Sequence, residues 1–99
     1  MISLKKIMYY LGEATTSKDN IEEKLYISMK ELRGYFYDES LDYKIVSNRI
    51  RSQMQHNSHL FLRKKEGGSV FFRLSAEGYK YLNKFKDDFN PITEKIEVF

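Results

Sequence analysis

Between residues 44 and 55 the chain sets out Lys44, Ile45, Asn48, Arg49, Arg51, Ser52 and Gln55. Arg63, Lys64 and Lys65 follow shortly after. These residue types, at this spacing, suit one chemistry above others. An Asn or Gln amide matches the two-point hydrogen-bond edge of adenine, and an Arg fork matches that of guanine. Lys44 and Ser52 suit phosphates or bases, and an apolar Ile45 suits a thymine methyl. At 100° per residue, 44, 48, 52 and 55 fall on one side of a helix, as one groove-reading face requires.

A solvated helix face is also polar, so the distribution of charge matters. Residues 1–40 hold six Lys/Arg and seven Asp/Glu, a net −1. Residues 41–74 hold seven and two, a net +5, and residues 75–99 hold four and five, a net −1. The whole +3 of the chain therefore sits in its middle third. Such localisation favours a polyanionic partner over general stickiness.

Other chemistries find less support. With 99 residues the chain is sized for one small domain, and the absence of Cys excludes disulfides, thiolate metal sites and cysteine nucleophiles. No spacing suggests a catalytic triad, a phosphate loop or a carboxylate pair, so no catalytic residue is assigned and the expectation is a non-enzyme. His56 and His59 lack a nearby carboxylate set for a metal, and neither metal nor cofactor is expected. Glu22-Glu23 reads as solvated. Tyr9-Tyr10 and Phe71-Phe72 could stack on bases, but in each pair the core claims at least one ring. No apolar run approaches the roughly 20 residues of a membrane span. No signal peptide is read at MISLKKIMYYLGEA, and the expected location is cytoplasmic, with no membrane partner.

The elements that would position the basic residues are legible from periodicity. Leu4, Ile7, Met8 and Leu11 predict a first helix over 3–12, ended by Gly12. Residues 13–24 read as a polar loop, with a possible turn at 20–24, and 25–27 as a short β-prone run. Ser28 and Glu31 have capping-box spacing, so a second helix runs about 29–37 and buries Leu32 and Phe36. After a turn at 38–41, Asp42 caps a third helix over about 43–57. Its inward face holds Ile50 with Tyr43, Val46, Met54 and Asn57. Two strand-like runs, 60–65 and 69–74, flank Glu66-Gly67-Gly68 and predict a hairpin that buries Phe71 or Phe72, not both. Ser75 caps a fourth helix, about 76–86, with Tyr79, Leu82 and Phe85 inward. The domain is expected over 1–88, with 89–99 a tail or the start of a linker.

Helix, short strand, two helices and a glycine hairpin form the expected α+β class, a three-helix core with a β-hairpin wing and a C-terminal helix. The stretch NRIRSQMQHNSHLF (48–61) leading into RKKEGGSVFFRLSAEG (63–78) resembles winged helix-turn-helix DNA-binding domains, in particular the HARE-HTH type. The closing Leu74-Ser75-Ala76-Glu77-Gly78 is similar to the Leu-Ser/Thr-x-x-Gly closure of many winged-helix regulators. The resemblance covers about residues 3–82, and it departs at the longer polar segment 13–24. It implies double-stranded DNA as partner, with the third helix in the major groove and Arg63, Lys64 and Lys65 on the flank. A regulator, or the DNA-reading module of a larger restriction-type system, is then expected, as a homodimer or with a fused or partner domain. The alternative is a winged-helix protein-interaction module without direct DNA contact.

Overall fold

The computed structural model describes residues 2–17, 26–36 and 42–90. The elements run α1 (Leu4–Ser17), β1 (Ile27–Ser28), α2 (Met29–Gly34), α3 (Tyr43–His56), β2 (Phe61–Glu66), β3 (Ser69–Leu74) and α4 (Ala76–Phe85). Short 3₁₀ turns occupy Ser58–Leu60 and Lys86–Asp88. Among the described residues these form an α+β unit of four α-helices and one antiparallel sheet, with strand order β1–β3–β2.

Local chemistry sets most of these boundaries. Ser3 Oγ accepts from the Lys6 N–H at 3.1 Å at the start of α1. Ser28 Oγ accepts from the Glu31 N–H at 3.0 Å, the backbone half of the expected capping box. Asp42 accepts from the Lys44 and Ile45 N–H groups at 2.7 and 3.4 Å. Ser75 accepts from the Gly78 N–H at 3.1 Å and donates to the His59 carbonyl at 2.8 Å. That second bond ties the start of α4 to the turn before β2. The hairpin turn is Gly67-Gly68, with φ of 56° and 80°. Both values lie in the left-handed region that glycine enters without strain, as a two-residue hairpin of this hand demands.

The core gathers one face from each element. Ile7, Met8 and Leu11 of α1 meet Leu32 and Phe36, then Val46, Ile50 and Met54 of α3. Phe61, Phe72 and Leu74 close it from the sheet, and Leu82 from α4. Phe72 is buried and Phe71 half-buried, as strand alternation requires.

Three expectations need correction. Gly12 does not end α1, which continues to Ser17 and takes in 13–17 of the expected loop. Gly12 instead lies where α1 crosses α4, and a Cβ there would collide with Leu82 Cδ2. Glycine is used for close approach, not for termination. Tyr43 is not inward: it sits on the first turn of α3, 58% exposed, with the Arg33 guanidinium 5.3 Å over its ring. Its place on the inward side is taken by Ser47, which is buried and accepts from Arg33 Nη1 at 3.0 Å. Finally, α2 is shorter than expected, ending at Gly34. The expected turns at 20–24 and 38–41, and the tail from 91, lie outside the described residues.

Candidate nucleic-acid interface

The side chains expected to make contact come from α3 and the hairpin. Every one on α3 is exposed: Lys44, Ile45, Asn48, Arg49, Arg51, Ser52 and Gln55. Going round the helix from its sheet side, the order is Arg51, Lys44, Gln55, Asn48, then Ser52 and Ile45, then Arg49. No acidic residue interrupts α3. The one carboxylate at its start, Asp42, is committed to the backbone N–H groups it caps. Capping orients that carboxylate toward the helix, while Lys44 faces solvent.

Two of the polar groups are partly pre-ordered. Arg51 Nη1 donates to Asn48 Oδ1 at 3.3 Å, one turn back on the same helix. That bond holds a guanidinium and an amide side by side, leaving the amide N–H₂ and most guanidinium donors open. His56 Nδ1 lies 2.8 Å from the Ser52 carbonyl oxygen. Gln53 and Asn57 turn inward instead, donating to the carbonyls of Ile2 (3.4 Å) and Gln53 (2.9 Å). Thus the amides of one helix divide between folding and display.

The hairpin separates its own cations by parity. Arg63 pairs with Phe72 and Lys65 with Val70, so both stand on the face turned toward the core and α3. Lys64 pairs with Phe71 and stands on the opposite face. There its ammonium lies 4.5 Å from the Tyr26 ring centroid and 5.6 Å from that of Phe71, and 3.8 Å from Glu66 Oε2. Arg73 covers the same Tyr26 ring at 5.7 Å. The structure therefore brings Arg63 together with Arg51 and Gln55 across one groove and turns Lys64 away from it. Among the described residues, the side chains of Lys44, Arg49, Arg63 and Lys65 form no ion pair or hydrogen bond.

The groove itself was not anticipated from sequence. Met54 and Ser58 on one side, and Phe61, Val70 and Phe72 on the other, complete its lining. Strand alternation places Arg63 and Phe72 on a common face, and that signal was available. Which part of α3 lies against them is set by tertiary packing. No group of three or more His, Cys, Asp or Glu is placed to hold a metal among the described residues. No described helix is long and apolar enough to cross a membrane. Comparison with protein-family models, with curated proteins and with solved structures found no match to the chain.

Proposed function

We propose that the chain is a winged helix-turn-helix domain that binds double-stranded DNA. In this reading α3 enters the major groove and the β2–β3 hairpin is the wing. The observation that carries it is the α3 face: three cations and two amides, all exposed, uninterrupted by acid, beside a hairpin face bearing Arg63 and Lys65. The element order and the strand order β1–β3–β2 support the same reading, and so does the resemblance to HARE-HTH domains. Asn48, Gln55, Arg49 and Arg51 read base edges, and Lys44, Ser52, Arg63 and Lys65 hold phosphates. Lys64, on the far face, is left out of the contact set. As a regulator or as the reading module of a larger system, the domain acts by occupying a site in the duplex. A homodimer on a two-fold symmetric site is the natural arrangement.

The test is an electrophoretic shift of pooled random duplexes by the wild type and by the Arg49→Glu/Arg51→Glu variant. The wild type is expected to retard duplex at about 50 mM salt and to lose affinity steeply by about 200 mM. The charge-reversed variant is expected to show no shift. A wild type that binds no duplex at the lower salt, or a variant that binds equally well, overturns the proposal.

A further inference from the structure

The groove between the second half of α3 and the inner face of the hairpin has a volume of about 310 Å³. Its floor is apolar: Met54, Phe61 and Phe72 are buried, and Val70 is half-buried. Two guanidiniums border it from separate elements, Arg51 on α3 and Arg63 on β2. Among the described residues no carboxylate lines it, and neither guanidinium has an acidic partner. Gln55 and Ser58 add an amide and a hydroxyl from the helix side.

This combination discriminates between classes of occupant. A bare phosphate satisfies the guanidiniums and leaves the apolar floor wet. A neutral hydrocarbon covers the floor and strips water from two cations without replacing it, which is costly. A flat aromatic body bearing one carboxylate does both. Its ring packs on Phe61, Phe72 and the Met54 thioether, and its carboxylate meets an Arg fork. The volume lies near the lower end of the roughly 300–1,000 Å³ typical of small-molecule sites, which suits a body of one or two fused rings.

We infer that this groove binds a small aromatic carboxylate. Because Arg51 and Gln55 border the groove and also belong to the α3 face, the bound anion competes with duplex for them. That competition rests on the DNA-binding reading above; the binding of the anion does not.

The test uses ¹⁵N-labelled protein titrated with 2-naphthoate, with 2-naphthamide and with inorganic phosphate, followed by backbone amide shifts. Naphthoate is expected to move resonances from Arg51 to Ser58, at Arg63, and from Val70 to Phe72. It should bind about tenfold tighter than the neutral amide, the loss expected when a charge-assisted contact is removed. Arg63→Gln should erase that preference while the spectrum stays dispersed. Scattered or absent shifts, equal affinity for the amide, or equal affinity for phosphate at the same residues would overturn the site. In a second arm, duplex affinity is measured with and without saturating naphthoate. A lowered affinity supports the competition, and an unchanged one overturns it. If naphthoate binds but the wild type binds no duplex, the DNA-binding reading and the competition both fall and the anion site stands.

Discussion

On the inner face of the hairpin, Arg63 and Lys65 stand over Phe72 and Val70 with no counter-charge among the described residues. On the outer face, Lys64 and Arg73 lie against Tyr26, and Lys64 also reaches Glu66. Each face has two cations, yet only one face offers them. The outer pair gains cation–π contacts worth about 0.5–1 kcal/mol each at exposed sites, and a phosphate would have to displace them. Net charge counts both faces alike; availability does not. The middle third of the chain is strongly basic, but its usable positive charge is concentrated on α3 and the inner face.

The largest expected effect removes the support common to both faces. Ile50 is fully buried in the core that also holds Phe72, so Ile50→Ala should cost about 2–5 kcal/mol in denaturant unfolding. Asn48→Ala, on the exposed side of the same helix, should cost under about 0.5 kcal/mol. Equal costs would mean that α3 is rotated from the orientation described. Next comes the contrast itself. Arg63→Glu should lower duplex affinity at least about tenfold, whereas Arg73→Glu should change it by less than about threefold. Reversed outcomes would exchange the roles of the two faces.

A smaller effect sharpens the outer face. Tyr26→Ala should lower stability by about 1 kcal/mol, because two cations lose their shared ring. Duplex binding should not weaken. The smallest effect lies away from both faces. Burial raises the Tyr35 phenol above its usual range, and the charges of Glu31, Glu13 and Tyr10 add to this. The Tyr9 phenol is raised too, first by its partial burial, then by the charge and hydrogen bond of Glu13. A raised folded value favours the neutral phenol, so this contribution is complete below about pH 10 and is lost as pH rises through the folded value. Ultraviolet titration should show late-ionising tyrosine that diminishes in Tyr35→Phe, with duplex binding at neutral pH unchanged. A titration curve of the same shape in the variant would contradict the assignment.

How far the residues foretold this arrangement depended on the range of the interaction. The caps at Ser28, Asp42 and Ser75 were legible, because each is satisfied by a backbone N–H two or three residues away. The Gly67-Gly68 turn was legible because its positive φ angles suit the glycines themselves. Gly12 was not, since a helix-ending glycine and a close-packing glycine look alike until Leu82 is brought beside it. Tyr43 has the helical phase of a core residue, but on the first turn of α3 it is left largely open to solvent. For the candidate site, the exposure of the α3 side chains was legible from period alone. The separation of Lys64 from Arg63 and Lys65 follows from strand parity, and Tyr26 as its partner depends on β1 pairing with β3. The groove depends on the docking of α3 against the hairpin, which no local pattern encodes.

The most direct measurement is the slope of log Kobs against log salt for duplex binding. It is compared between the wild type and the Lys44→Gln/Arg63→Gln/Lys65→Gln variant. If these three cations each neutralise a phosphate as proposed, the slope should shrink by about one unit for each cation removed, about three in all. A flat slope for the wild type, or an unchanged slope for the variant, would contradict DNA binding through α3 and the inner hairpin face.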